Sequence, residues 1–246
     1  LYFRAFDEKF IEEIRSYAIN YFRKILSNLG WEPQKSDKHT DALLRTFTIS
    51  VLGKMNDDTV TDDAIRKYQK FLKSPSSLSP DLIETICSIA AWNGNSKTFA
   101  ELKKLYTNAK TMEEKLRFLG AMCGFQDTKL LIKTLNFSQT SEVRSQNMQL
   151  PIMKIAGNPY GEKVLWPWLK KNWKNINKKV GHGNPLFNRI VASIAGVADD
   201  SMEKEIKLFF KNNPTPGTER TQSQTLERIR INSKFLRTMR KEFKNG

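Results

Sequence analysis

The sequence predicts an all-α fold, an armadillo/HEAT-like right-handed superhelix of stacked helix pairs. Three observations lead there. Apolar residues return every three or four positions along almost the whole chain, strand-like alternation is essentially absent, and caps or stops punctuate the pattern. A dozen or so helices of about 11 to 20 residues, two to a repeat of roughly 35 to 45, match the period of such solenoids. Residues 1–246 are therefore expected to form a single helical-repeat domain.

The elements follow in order. Phe10, Ile14, Tyr17, Ala18, Tyr21, Ile25 and Leu29 draw an apolar stripe that Gly30 stops. Asp37 opens a second pattern through Leu43, Phe47, Val51 and Leu52, and Thr61 a third through Ile65, Tyr68, Phe71 and Leu72. After the loop SPSSLSP, Ser79 is a cap and Pro80 suits the first turn of a helix that ends at Asn93-Gly94. A further helix carries Phe99, Leu102, Leu105 and Tyr106. Thr111 and Glu114 have capping-box spacing ahead of Leu116, Leu119 and Met122. Six more helices are expected at 129–135, 142–156, 163–180, 186–198, 202–211 and 218–243, with Pro151 kinking the second of them.

Composition narrows the function classes. A 39% hydrophobic and 27% charged chain is globular, and no apolar run approaches the roughly 18 to 20 residues that cross a bilayer. The start, LYFRAFDEKFIEEI, lacks a signal-peptide pattern; without a methionine, it suggests a piece of a longer protein. Cys87 and Cys123 lie in apolar helical patterns as reduced core residues, which favours a cytoplasmic setting. The net charge of +15, from 41 Lys and Arg against 26 Asp and Glu, would attract nucleic acid, anionic membrane or acidic peptide. His39 and His182 are read as solvent-facing loop residues, and no metal set or catalytic constellation stands out.

The segment GEKVLWPWLKKNWKNINKK, Gly161 to Lys179, concentrates three of the five tryptophans. On a helix, Leu165, Leu169, Trp173 and Ile176 share one face, Trp166 flanks it, and Lys170, Lys171, Lys174 and Lys178 point elsewhere. A nucleic-acid stacking platform would mix aromatics with lysines on one exposed face. Their separation predicts tryptophans packed between helices, with Trp168 as the one candidate for exposure.

Four motifs in order bear a resemblance. Asn158, Pro159, Gly161, Trp166, Leu169, Asn172 and Trp173 match N-P-x-G-x-x-x-x-W-x-x-L-x-x-N-W. Leu29-Gly30-Trp31 stands near the start. Glu142-Val143-Arg144-Ser145-Gln146 is similar to a V-R-x-Q-D pattern, with Asn147 in place of the acid. Arg220, Gln224, Glu227, Ile229 and Asn232 fit R-x-x-x-Q-x-x-E-x-I-x-x-N, with Phe235 where tryptophan is common. Together, from about residue 10 to 243, they resemble the C-terminal helical domain of the zinc aminopeptidases of puromycin-sensitive, tricorn-interacting and endoplasmic-reticulum type.

That resemblance implies a non-catalytic domain that caps an upstream catalytic domain of the same polypeptide, encloses a cavity and restricts or positions peptide substrates. Zinc, held by H-E-x-x-H and a distant glutamate, would belong to the upstream domain, and this chain would need no cofactor. The first helices of the bowl-shaped domain are expected to be missing. Arg144 and Arg220, inside the motifs, are candidates for binding peptide C-terminal carboxylates, because a guanidinium fork suits a carboxylate. The competing expectation pairs them with Glu142, Gln224 or Glu227 to hold helices together. Asn158, Gly161, Trp166, Asn172, Trp173, Gln224, Glu227 and Asn232 are the structural motif residues. Two other functions stay open: a free-standing scaffold binding protein partners in its groove, and a HEAT-like nucleic-acid-binding protein.

Overall fold

The computed structural model describes residues 8–181 and 184–244, so His182 lies outside the described residues. The chain is all-α: among the described residues there are helices and short 3-10 turns and no strand. It divides into two compact units, one ending at Phe125 and one beginning at Gln126.

The first unit holds six helices: α1 (Glu8–Leu29), α2 (His39–Lys54), α3 (Asp58–Lys73), α4 (Pro80–Trp92), α5 (Ser96–Asn108) and α6 (Met112–Ala121). Each packs on its neighbour, and alternate helices also meet, α2 with α4 and α4 with α6. This is the contact pattern of stacked helix pairs. Its centre is α4, which buries Leu82, Ile86, Cys87, Ile89 and Trp92, because it is the helix with apolar residues almost all round.

Local chemistry sets the ends. Gly30 stops α1 with φ +66°, a left-handed conformation open to glycine. Asp57, not Thr61, starts α3, its carboxylate accepting the Val60 N–H at 2.9 Å. Pro80 occupies the first turn of α4 as expected, although the Ser79 hydroxyl makes no capping bond. Thr111 and Glu114 form the expected capping box: the Thr111 hydroxyl accepts the Glu114 N–H at 3.2 Å and the carboxylate accepts the Thr111 N–H at 3.1 Å. Those backbone bonds hold the Glu114 carboxyl below its ordinary value.

The turn between α1 and α2 is closed by a residue that periodicity passes over. Arg45 on α2 is 1% exposed. Its guanidinium donates to the carbonyls of Leu29 at 3.0 Å and Gly30 at 3.1 Å, and pairs with Asp37 at 2.7 Å. The Leu29-Gly30-Trp31 motif is thus the anchored end of α1. On the outside of this unit the apolar patterns overreach. Tyr17, Tyr21, Leu43 and Phe47 belong to the expected stripes yet stand exposed, leaving an apolar face on α1 and α2.

Among its described residues the second unit also holds six helices: α7 (Thr128–Ser138), α8 (Gln149–Ala156), α9 (Glu162–Val180), α10 (Pro185–Ser193), α11 (Glu203–Asn212) and α12 (Glu219–Lys244). Again alternate helices meet, α7 with α9, α8 with α10 and α10 with α12. Pro151 does not kink a helix running from 142. A 3-10 turn covers Ser145–Asn147, α8 starts at Gln149, and the proline sits in its first turn, where a missing N–H costs nothing. Pro167 is the proline inside a helix, and α9 continues through it.

Candidate functional site

The Asn158–Trp173 motif is a packing device. Asn158 caps a 3-10 turn at Pro159–Gly161 by accepting the Tyr160 N–H at 2.9 Å. Gly161 is required because that turn presses on the end of α8: a Cβ there would lie 1.9 Å from the Ile155 carbonyl oxygen. The turn then launches α9. Trp166 meets Phe209 edge-on at 5.1 Å, and Trp173 meets Phe187 at 5.0 Å and Phe209 at 5.2 Å. Asn172 bonds back to the Trp168 carbonyl at 2.8 Å within α9.

The lysines of α9 do separate from its aromatics. Lys170, Lys171, Lys174 and Lys178 are exposed while Trp166 and Trp173 are buried. The expectation for Trp168 is corrected: it is 6% exposed, and its indole N–H donates to Asn136 at 2.8 Å. It faces α7, a second neighbour that a single-stripe reading of α9 omits. Lys179 is also more than rim. Its ammonium donates to the Gln139 and Thr140 carbonyls, at 2.7 and 2.9 Å, at the end of α7, and desolvation lowers its pKa.

The motif of α12 divides into two opposite faces. Ile229 is buried, and Asn232 donates to the Ala195 carbonyl at 3.2 Å, alongside buried Thr225, Ser233 and Leu236. Arg220, Gln224 and Glu227 are exposed, and with Ile231 and Phe235, 60% and 51% exposed, they form one stripe at helical spacing. Arg220 forms no ion pair among the described residues, and neither does Arg144, which stands exposed ahead of the 3-10 turn that precedes α8. The expected pairing of these arginines with Glu142, Gln224 or Glu227 is therefore not what the structure shows. The two occupy separate elements, Arg144 ahead of a 3-10 turn and Arg220 in the first turn of α12.

This division of α12 sets helix-packing residues apart from outward ones inside one motif. Residues 2–231 match the family described as ERAP1-like C-terminal domain. The chain belongs to that family. Among curated proteins, this ERAP1-like domain is 27% identical to Aminopeptidase M1 of Arabidopsis thaliana over 241 residues, 96% of this chain and 27% of that protein. It is 30% identical to Aminopeptidase M1-C of Oryza sativa subsp. japonica, over 94% of this chain and 27% of that protein. Similarity to Aminopeptidase 2, mitochondrial, of Saccharomyces cerevisiae is 25%, over 92% and 24%. The chain thus spans about a quarter of the length of these relatives.

Among the described residues of the ERAP1-like domain, no three His, Cys, Asp or Glu side chains converge as metal ligands, and His39 is exposed at the start of α2. No described helix is long and apolar enough to cross a membrane.

Two carboxylates tie α11 into the second unit. Glu205 accepts from the Lys170 ammonium and, at 3.2 Å, from the Trp166 indole. Glu203 takes a two-pronged contact from Arg230, at 2.9 and 2.6 Å. The bonds from Lys170 and from Arg230 hold the respective carboxyls below the ordinary value of 4.5. A depressed folded-state pKa contributes stability above the unfolded value that is lost as pH falls through the folded one. The thermal midpoint should hold steady above pH 4.5 and decline below it, by a modest amount since both groups are solvent-screened. Glu203→Gln with Glu205→Gln should flatten that decline, and an unchanged acid limb in the double variant would refute the assignment.

Proposed function

We propose that residues 1–246 are the C-terminal domain of a zinc aminopeptidase. It performs no peptide hydrolysis itself but covers the active site of an upstream catalytic domain, which holds the zinc, in a cytoplasmic enzyme. There it encloses the peptide cavity and restricts or positions substrates. The aminopeptidase names of the relatives support the parent activity. The observation that supports the positioning role is the outward stripe of α12. Within a motif whose other members pack helices, Arg220, Gln224, Glu227 and Phe235 face solvent, and the Arg220 guanidinium is left without a counter-ion. Such a group recognises a carboxylate in two-pronged geometry. Arg144, likewise unpaired, is the second candidate. The exposed apolar face of α1 and α2 fits a surface covered by another part of the parent protein.

The test is kinetic, in the full-length polypeptide that carries this chain. Arg220→Ala should raise KM for peptides with a free C-terminus by about tenfold, the worth of one charge-assisted contact of roughly 1.5 kcal/mol. KM for the same peptides amidated, and kcat for a single-residue substrate, should not change. Equal effects on acid and amide peptides would sink the carboxylate role of Arg220, and Arg144→Ala is judged in the same way. Absence of peptidase activity from the intact parent would overturn the whole reading.

A further inference from the structure

Between α11 and α12, on the side of α12 away from its outward stripe, lies an open cleft of about 610 Å³. Its wall on α11 is Lys204, Lys207, Leu208 and Lys211, which share one helical face. Its floor is Phe210 and Leu226, and Gln222 and Ser223 on α12 add polar groups opposite. Leu208 is 57% exposed, an apolar side chain set among three ammonium groups.

The charge here is only partly compensated, Lys207 being drawn to the Glu203 carboxylate one turn before it. No carboxylate lines the cleft, and none of the three lysines forms an ion pair among the described residues. The nearby acids of α11 make their hydrogen bonds elsewhere, Glu203 to Arg230 and Glu205 to Lys170 and Trp166. Glu219, at the start of α12, already accepts the Gly217 N–H. Lysines three or four apart on one face repel each other, and Lys204 in the first turn also opposes the helix dipole. An arriving anion relieves both. An anion alone would leave Leu208 and Leu226 wet, so the matching ligand is acidic and apolar together.

We propose that this cleft docks an acidic–apolar polypeptide segment, with glutamate or aspartate side chains on Lys204, Lys207 and Lys211 and a bulky apolar side chain over Leu208 and Leu226. The helices hold it preformed. The Glu203–Arg230 pair clamps one end, and a buried network at the other joins the Thr215 and Thr218 hydroxyls at 2.9 Å with the Gln222 amide donating to both. The site uses neither Arg144 nor Arg220, so it stands or falls separately from the peptide-positioning role.

The probe is an acetylated, amidated hexapeptide, Glu-Glu-Leu-Phe-Glu-Glu, titrated into the chain at low salt by calorimetry. Two comparison peptides replace every Glu by Gln, or replace Leu and Phe by Glu. The first peptide should bind and both comparison peptides should bind several-fold more weakly. Lys207→Gln with Lys211→Gln should weaken binding by about fivefold, the sum of two exposed ion contacts. Leu208→Ser should also weaken it. All three positions are exposed, so the fold survives these changes. Lys129→Gln with Lys133→Gln removes the same charge from α7 and should leave affinity within about twofold, as expected of distant, independent sites. No saturable binding at millimolar peptide, equal binding of the all-Glu peptide, or an equal loss in the α7 double variant would each overturn the proposal, the last two by reducing it to net charge.

Discussion

Replacing Gly161 by alanine is expected to destabilise the second unit by about 3 kcal/mol or more, beyond the usual range for one added methyl group. The added Cβ would stand 1.9 Å from the carbonyl oxygen and 2.9 Å from the carbonyl carbon of Ile155, and both atoms are backbone at the end of α8. A flexible side chain could swing away, but a helix terminus cannot. The 3-10 turn must lift off, and with it the start of α9, which carries Trp166 to its seat against Phe209. At about 2 to 4 °C per kcal/mol for a domain of this size, the thermal midpoint should fall by roughly 6 to 12 °C. Gly157→Ala is the natural comparison, because its Cβ would meet only the Lys154 carbonyl oxygen at an ordinary 3.5 Å. Equal midpoints for the two variants would mean that the close approach at Gly161 does not exist in solution.

Trp173→Ala should cost about 3 to 5 kcal/mol, the range for removing a large aromatic from a packed core. The ring is 2% exposed, with Phe187, Phe209 and Phe210 centred 5.0 to 6.0 Å away, so α9, α10 and α11 all lose a contact at once. Trp173→Phe should be far milder, within about 1 to 2 kcal/mol of the parent. Phenylalanine keeps an aromatic face, and it removes an indole N–H that is buried with no hydrogen-bond partner among the described residues. Urea unfolding of the three proteins decides the matter. If Phe were as damaging as Ala, that N–H would have a partner the packing account lacks.

The periodicity of the chain makes the helices themselves legible, and the sorting of lysines from tryptophans in α9 follows from its spacing. What resists is anything set by more than one neighbour. Trp168 is off the main stripe of α9 but buried, because α7 covers a second side of that helix. Tyr21 and Phe47 sit on apolar stripes yet are exposed, since a stripe shows where a helix can be covered and not whether it is. Arg45 is invisible to any hydrophobic pattern, its place being fixed by carbonyls 15 and 16 residues away. In the α12 motif, spacing alone separates outward Arg220, Gln224 and Glu227 from inward Ile229 once a helix is assumed. That Arg220 lacks a partner depends on everything around it.

The guanidinium of Arg45 has a kinetic meaning. It holds the last carbonyl of α1, the glycine that ends it and an acid from the following turn, from a position inside α2. Releasing these contacts together while α2 stays folded would strand a charge away from water, a penalty of about 3 to 5 kcal/mol. The end of α1 therefore cannot fray on its own. It opens only together with α2, and rarely, by a factor of about a hundred to several thousand relative to an unclamped terminus. Amide protons at Gly30, whose N–H bonds to the Leu26 carbonyl, and through the first half of α2 would exchange with deuterium as one cooperative block, a seam that behaves as a single latch.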